Sequence, residues 1–239
     1  MFSDNENASI FPFQNASIFP FPGSRARRPA RARLLEAMLL SGGELGYEQV
    51  AVRHVIERGG ASRATFYKHF DDREDCFAQA YGEAGEWLCR RLIGAGKRRP
   101  TWREGVRVAL AELLEFCANQ PQVAKALLVE VHAVGERPLA RRRELMARLA
   151  RALDGGRGEA GAGQSPPAVT SDFVVGAIDT LLAAKLMDGD AARAPEMLPG
   201  LLHFVVMQYL GERAAWEEMT AAPLAQWSAR REAASQGPQ

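Results

Sequence analysis

GGASRATFYKHF (residues 59–70) is the stretch that decides how this 239-residue chain is interpreted. Gly60 can adopt the left-handed backbone conformation that ends one helix and lets the chain turn sharply. Ser62 can then cap a following helix by accepting a hydrogen bond from the free N–H of Thr65. The pattern therefore predicts two helices joined by a tight turn.

The second of these helices has two chemically different sides. Phe66 and Phe70, four residues apart, can anchor one side on an apolar core. The other side chains can donate hydrogen bonds or carry positive charge: Arg63, Thr65, Tyr67, Lys68 and His69. A short helix with an apolar back and a cationic front fits the major groove of DNA. From these residues alone, an ordinary surface turn between two amphipathic helices remains the alternative.

Charge is distributed unevenly along the chain. The net charge is only +1, and 47% of the residues are hydrophobic, which is typical of a globular protein with a real core. Residues 25–73 nevertheless hold ten Arg or Lys and six Asp or Glu, a local charge of +4, so the remainder carries −3. This asymmetry predicts a basic DNA-reading module joined to a mildly acidic one.

The flanking sequence predicts three further helices around this segment. Apolar residues at helical spacing predict a first helix over Pro29–Ser41, stopped by the glycines at 42 and 43. A second helix is predicted over Val50–Arg58, and Asp72 can cap a long helix over Arg73–Ile93. The three small helices share an apolar centre, which predicts a helix-turn-helix unit: Leu35, Leu39, Val52, Val55, Ile56, Phe66 and Phe70.

The rest of the chain is also expected to be helical, which makes the predicted fold all-α. The apolar spacing predicts these helices: Trp102–Asn119, Gln122–Val134, Pro138–Leu153, Ser171–Met187 and Pro195–Ala215. Residues 154–170, rich in Gly, Ala, Ser and Pro, predict a flexible loop. Residues 1–24 contain Asn7–Phe13 repeated as Asn15–Phe21, for which an unpacked tail and an aromatic docking motif are the two interpretations.

The last two predicted helices are apolar around almost their whole circumference. Such a helix must be buried on every face, and one small domain cannot easily enclose two. We therefore predict a homodimer in which these helices form an intermolecular four-helix bundle. The alternative is a monomer whose C-terminal hairpin lies at its own centre. The predicted interface residues are Phe173, Ala177, Leu181, Ala184, Leu202, Val205, Val206 and Tyr209.

Several function classes are disfavoured by the sequence. Cys76, Cys89 and Cys117 form no CxxC pair and have no His partners at zinc spacing, so no metal site is expected. The sequence contains no HExxH, GxSxG or Walker motif, so we expect no catalytic residues, no cofactor and no enzymatic activity. No apolar run approaches the roughly 20 residues that span a bilayer, and we expect a cytoplasmic protein without membrane partners.

The span Arg31–Leu88 resembles the tetracycline-repressor (TetR) family of bacterial transcriptional regulators. The resemblance rests on four matched stretches: residues 46–47 (GY), 52–56 (VRHVI), 60–70 (GASRATFYKHF) and 72–74 (DRE). It implies an N-terminal three-helix helix-turn-helix DNA-binding domain followed by a larger helical domain for ligand binding and dimerisation. The corresponding division is a tail over 1–24, the DNA-binding domain over 25–73, the effector and dimerisation domain over 74–215, and a C-terminal tail over 216–239.

The same resemblance assigns roles to individual residues. Ser62–His69 becomes the recognition helix, in which Arg63 and Ala64 face base edges. The further DNA contacts that it implies are Tyr47, Thr65, Tyr67, Lys68, His69 and Arg73. Arg73 stands where the family usually has a phosphate-contacting lysine, so its charge is retained. Ala51 stands where the family commonly has a threonine cap, which removes about 1 kcal/mol from the start of the second helix.

By the same resemblance, the function is that of a repressor released from DNA by a small molecule. Two recognition helices of a dimer would bind double-stranded DNA at an inverted-repeat operator. A small effector of unknown identity would occupy the larger domain, and the predicted pocket residues are Trp102, Phe116, Glu130, His132 and Met146. A DNA-binding regulator or architectural protein without a small-molecule effector remains the alternative.

Overall fold

A computed structural model describes residues 29–160 and 165–221 of the chain, and within them all regular structure is helical. The all-α prediction is therefore confirmed. The α-helices of these residues are α1 (Ala30–Leu45), α2 (Val52–Gly59), α3 (Arg63–His69), α4 (Arg73–Lys97), α5 (Trp102–Asn119), α6 (Pro121–Leu128), α7 (Glu136–Leu153), α8 (Thr170–Met187) and α9 (Leu198–Ala221). The N-terminal repeat and residues 222–239 lie outside the described part.

Helices α1 to α3 pack on one another, and α1 packs on α4. Leu35, Val55 and Phe66 are buried at their centre. Phe77 and Tyr81 of α4 belong to the same hydrophobic core, which continues into the larger part of the chain. The apolar core thus crosses the boundary predicted at residue 73 without interruption.

Helix α1 is longer than the sequence pattern predicts. It passes through Gly42 and Gly43, so the expectation that these glycines stop it is wrong, and it ends at Leu45. The residue that ends it is Gly46, whose φ of 83° lies in the left-handed region. Gly43 is buried, and a Cβ atom there would overlap the backbone carbonyl of Gln122 in α6. The glycine thus permits a close approach between two helices, which only the tertiary structure reveals.

The larger part of the chain is a layered bundle of helices. Helix α4 packs against α5 and α7, α7 packs against α8, and α5 packs against α9. Ion pairs link these layers: Arg91–Glu112, Arg142–Asp179 and Arg107–Glu218. The helix predicted over Gln122–Val134 is interrupted, because α6 ends at Leu128 and a 3₁₀ turn follows over Glu130–Ala133. No helix among the described residues is long and apolar enough to cross a membrane.

The two C-terminal helices differ in what they cover. Leu202, Val205, Val206 and Tyr209 of α9 are all buried against the chain's own core. The structure therefore contradicts their assignment to a dimer interface, and for α9 the alternative of a centrally placed helix holds. Helix α9 also extends beyond its predicted end at Ala215, with a break at Gly211, where φ is 82°.

Helix α8, in contrast, leaves one apolar face uncovered in the single chain. Val174, Ile178 and Leu182 face the core, whereas the side chain of Phe173 is 73% exposed and that of Leu181 is 48% exposed. Ala184 is exposed and Ala177 is half-buried on the same side of the helix. We call these four residues (Phe173, Ala177, Leu181 and Ala184) the α8 stripe.

The close contact between α1 and α6 leads to a testable prediction about stability. We expect Gly43→Ala to lower the free energy of unfolding by about 1–3 kcal/mol, because the added methyl group forces two helix backbones apart. Gly82→Ala in α4 is the matched control, since a Cβ there meets nothing within 4 Å. The control should be neutral or more stable by about 0.5–1 kcal/mol. Equal effects of the two substitutions in urea denaturation would contradict the proposed close approach.

Candidate nucleic-acid interface and ligand cavity

The turn between α2 and α3 has the local geometry that the sequence predicts. Gly60 has φ 59° and ψ 48°, so it is left-handed, and its N–H bonds back to the end of α2. The Ser62 hydroxyl oxygen accepts a hydrogen bond of 3.1 Å from the N–H of Thr65. Both expectations are confirmed, and together they fix the direction in which α3 leaves the turn.

The two sides of α3 are separated as expected. Phe66 is fully buried and Phe70 nearly so, with their ring centroids 5.3 Å apart. The side chains that face outward are those of Arg63, Ala64, Tyr67 and Lys68, while Thr65 and His69 are half-buried. We call the four exposed residues of α3 the reading face. The Arg63 guanidinium lies 5.8 Å from the centroid of the Tyr67 ring, close enough for a cation–π contact between two members of this face.

An arginine of α1 holds the turn from behind. The Arg33 Nε donates to the carbonyl of Gly59 at 2.9 Å, and its terminal amino group donates to the carbonyl of Gly60 at 3.1 Å. These carbonyls stand at the end of α2, where no intrahelical donor remains for them. The positive charge also complements the helix dipole at this end. Arg33 therefore stiffens the support of α3 through two charge-assisted hydrogen bonds.

Arg73 is anchored in the loop that joins α1 to α2. Its guanidinium donates to the carbonyl of Val50 at 2.6 Å and to the carbonyls of Glu48 at 3.2 Å and Tyr47 at 3.3 Å. It also lies 4.3 Å from the centroid of the Tyr47 ring. Arg73 is half-buried, and its hydrogen bonds hold this loop in place.

Tyr47 lies beneath Arg73 and not on the reading face. Only 3% of the residue is exposed, and its ring packs edge-on against Phe77 at 5.2 Å. Burial raises the pKa of its hydroxyl above the usual value, while the Arg73 charge opposes that rise. Its position suits a residue that supports Arg73 better than one that touches DNA directly.

The start of α2 lacks the cap that a hydroxyl would provide. Ala51 occupies the cap position and has no side-chain acceptor. Half of a capping box survives, because the Nδ1 atom of His54 accepts a hydrogen bond of 3.1 Å from the N–H of Ala51. His54 therefore compensates in part for the missing threonine.

Helices α1 to α3 are tied to the larger part by polar contacts as well as by the core. A Glu130 carboxylate oxygen accepts a hydrogen bond of 2.8 Å from the N–H of Tyr47. The Lys125 amino group lies 4.0 Å from the other oxygen of that carboxylate. On the other side of α4, Arg137 lies 3.4 Å from Asp75, next to the helix start. Glu130, predicted to line a ligand pocket, is instead a link between α6 and the α1–α2 loop.

A cavity of about 870 Å³ lies among α4, α5, α7 and α8. This volume is near the upper end of the range for small-molecule sites. Its walls are mainly aliphatic and include Leu88, Leu92, Leu110, Leu145, Leu149, Ile178 and Leu182. Leu127 and Leu128 of α6 complete one side.

The predicted pocket residues divide into two groups. Trp102 and Met146 line the cavity, whereas Phe116, Glu130 and His132 lie outside it. Phe116 is fully buried with its ring 6.2 Å from that of Trp87, and His132 is exposed. Those three residues do not contribute to this cavity wall, because long-range packing turns them elsewhere.

The contribution of α4 to the cavity was not predicted from the sequence. Gly85 and Cys89 lie on its wall, together with Tyr81. A Cβ atom at Gly85 would come within 2.7 Å of the Leu145 side chain, so this glycine brings α4 close to α7. The small residues Gly85 and Cys89, four positions apart on the predicted long helix, are the sequence feature that could have indicated this close approach.

One ion pair is built into the apolar wall. Arg142 of α7 and Asp179 of α8 both line the cavity and pair with each other. Burial raises the pKa of Asp179, and the Arg142 charge opposes this rise. The pair supplies a charged group to a chamber whose walls are mainly aliphatic.

Comparison with known proteins gives a family match over the helix-turn-helix region. Residues 43–80 match the model of the bacterial regulatory proteins of the tetR family. The HTH-type transcriptional repressor KstR of Mycolicibacterium smegmatis is 36% identical over 105 residues, which are 44% of this chain and 52% of that protein. An uncharacterised HTH-type transcriptional regulator of Haemophilus influenzae is 28% identical over 87 residues, 36% of this chain and 42% of that protein. The chain thus spans about half the length of the relatives it matches.

Solved structures show the same fold over most of the chain. The fatty acid degradation regulator FadR from Bacillus halodurans superposes with a TM-score of 0.67 at 14% identity, covering 75% of this chain and 96% of that one. FadR from Bacillus subtilis, in complex with stearoyl-CoA, superposes with a TM-score of 0.64 at 18% identity, covering 73% of this chain and 96% of that one. Taken together, the matched family model and the helix-turn-helix geometry show that residues 43–80 form a DNA-binding unit of the tetR type, and the described residues share the fold of these solved regulators.

Proposed function

We propose that this protein is a homodimeric transcriptional repressor that binds an inverted-repeat operator and leaves it when a small molecule binds. The observation that carries the proposal is the reading face of α3. It presents Arg63 and Lys68 to solvent on a helix whose back is locked by Phe66 and Phe70. Such a rigid cationic helix after a tight turn is suited to the major groove. As a regulator it would act in the bacterial cytoplasm.

Within the reading face, the residues differ in what they can recognise. Arg63 can form a bidentate contact with guanine, which distinguishes one base pair from the others. Lys68 is a compact point charge that suits a phosphate, and phosphate contacts position the protein without reading sequence. Tyr67 holds Arg63 by their ring contact and can donate its own hydroxyl proton. Specificity should therefore depend on Arg63 more than on its neighbours.

The α8 stripe supports a symmetric dimer. Phe173 and Leu181 expose apolar side chains that a monomer in water would leave without a partner. A second copy brings the same stripe to the contact, as a twofold axis requires. Two recognition helices could then enter successive major grooves about 34–36 Å apart. The interface would use α8 and the exposed parts of α9, such as Trp216, in place of the buried α9 residues.

The cavity favours a repressor with an effector over one without. Its aliphatic walls suit a ligand with a large apolar body. The similar fold of B. subtilis FadR, solved in complex with stearoyl-CoA, supports small-molecule binding for the present chain. Helix α6 can transmit the occupancy of the cavity, because Leu127 and Leu128 line it while Glu130 holds the α1–α2 loop.

The DNA-binding role is tested by selecting bound DNA from a random pool. We expect an enriched inverted repeat. Arg63→Ala should relax the preference at one position in each half-site, at a cost of about 1–3 kcal/mol. Lys68→Ala should weaken binding to all sequences similarly and reduce the salt slope by about one. A pool without an enriched inverted repeat would remove the specific-regulator proposal.

Arg73 provides a separate test of how the reading face is supported. We expect Arg73→Gln to lower the free energy of unfolding by about 2 kcal/mol, because three loop carbonyls lose a charged donor. Arg53→Gln, on the exposed side of α2, should change it by less than about 0.5 kcal/mol. Urea denaturation without DNA measures both. Unchanged stability together with a smaller salt slope would instead assign Arg73 mainly to phosphate.

The α8 stripe can be tested through the oligomeric state. We expect the double substitution Phe173→Glu and Leu181→Glu to produce a folded monomer, because buried carboxylates would repel one another across the twofold axis. Leu45→Glu is the control, since Leu45 is an exposed apolar residue at the end of α1. Sedimentation measures the mass of each variant. A dimer that survives the double substitution unchanged would place the interface elsewhere.

A further inference from the structure

The residues that line the cavity are mainly apolar, and most of the charged ones among them are basic. Among the described residues that line it, five are cationic and one is acidic. They are Lys97, Arg99, Arg142, Arg148, Arg151 and Asp179. An aliphatic chamber that carries this excess of positive charge differs from a site for a neutral apolar molecule.

Two of the cations already have partners inside the chain. Arg142 pairs with Asp179 across α7 and α8. Arg148 lies 2.5 Å from a Glu86 oxygen, and Arg141 lies 2.7 Å from the same atom. The hydrogen bond from Arg148 and the positive charges of Arg148 and Arg141 lower the pKa of Glu86. These arginines are therefore part of the packing between α4, α7 and α8.

The other three cations lie near the C-terminal ends of α4 and α7, and Trp102 at the start of α5 reaches the end of α7 through a hydrogen bond of 3.0 Å to the carbonyl of Leu153. Lys97 closes α4, Arg99 lies in the α4–α5 turn, and Arg151 is in the last turn of α7. All three are exposed, and in residues 29–160 and 165–221 none has a carboxylate oxygen within 4.0 Å. We call them the cationic mouth. Neighbouring charges of one sign beside a low-dielectric wall focus the potential and attract anions.

We propose that the effector is an amphiphile with an anionic head, whose apolar body fills the cavity and whose head lies at the cationic mouth. The inference rests on the effector role proposed above and specifies the chemistry of the ligand. Carboxylate and phosphate groups are the anions that Arg and Lys bind best in proteins. Both a free fatty acid and an acyl-coenzyme A have this chemistry.

A carboxylate of the chain itself lies beside the same end of the cavity. Glu159 accepts a hydrogen bond of 2.6 Å from the N–H of Trp102, in the first turn of α5. Trp102 also lines the cavity, so this helix start lies beside it. The dipole of α5 adds to the positive potential there. Glu159 is bound to the backbone and leaves the side chains of the cationic mouth free.

A purely structural role for the same cations makes a different prediction. Lys97 and Arg151 are in the last turns of α4 and α7, where a positive charge stabilises the helix dipole. If that were their only role, removing them would lower stability slightly and leave ligand selectivity unchanged. The selectivity for head-group charge therefore separates the two roles.

The experiment compares three probes of equal chain length on the full-length protein. Calorimetry is performed with laurate, lauroyl-coenzyme A and neutral dodecanol, and coenzyme A alone reports binding outside the cavity. We expect at least one of the two anionic amphiphiles to bind about tenfold more tightly than dodecanol, a difference of about 1.4 kcal/mol. The advantage should shrink as salt is added, because the mouth is exposed. The comparison of laurate with lauroyl-coenzyme A identifies the source of the head.

Matched variants locate the head. Arg151→Gln should weaken binding of the anionic probe about threefold. Arg143 is an exposed arginine of α7 outside the cavity wall, and Arg143→Gln should leave this binding unchanged. Replacing Lys97 and Arg99 with Gln should act like Arg151→Gln, with Arg98→Gln as the neighbouring control. Dodecanol binding should stay constant in every variant. Thermal melting of each variant separates loss of selectivity from loss of stability.

The possible failures are distinguishable. Dodecanol binding as tightly as both anions, or equal losses in the mouth variants and their controls, would overturn the anionic-head inference and leave the effector proposal standing. No binding by any amphiphile would overturn both. Binding by coenzyme A alone as tight as by lauroyl-coenzyme A would also overturn the inference, because the cavity would then be unnecessary.

Discussion

The direct contact between the backbones of α1 and α6 is the constraint on which the rest of the structure depends. At Gly43 no side chain separates the two helices, so neither can shift without disturbing the other. The hydrophobic core continues from Phe66 beneath the reading face to Leu182 beside the cavity. Helix α3 and the cavity are consequently parts of one packed body.

The features that the sequence predicts well are those that nearby residues determine. The turn at Gly60, the Ser62 cap and the Asp72 cap each involve groups within about four positions along the chain. The burial of Phe66 and Phe70 follows from helical spacing in the same way. Local chemistry is therefore sufficient to locate α3 and its buried side, and the resemblance to TetR regulators covers the same residues.

The features that the sequence does not predict depend on contacts between distant segments. In the sequence, Gly43 looks like a residue that ends a helix. A glycine that allows a neighbouring helix to approach cannot be distinguished, from the sequence alone, from a glycine that a turn requires. Val205 resembles an interface residue because a protein's own core and a partner's surface both demand apolar side chains. Phe116 is on its predicted helix and His132 is in the 3₁₀ turn that interrupts its predicted helix, and only tertiary packing decides which residues line the cavity.

Helix α6 has a consequence for how such a repressor would respond in a cell. It borders the cavity through Leu127 and Leu128, and Glu130 in the 3₁₀ turn that follows it holds the Tyr47 backbone, so the two binding events would share one free energy of coupling. Thermodynamic linkage is reciprocal, and an operator that disfavours the ligand-bound arrangement lowers ligand affinity by the same factor. Repressor molecules bound to an operator would therefore need a higher ligand concentration than repressor molecules free in solution. The ligand concentration that releases the operator would exceed the dissociation constant measured without DNA.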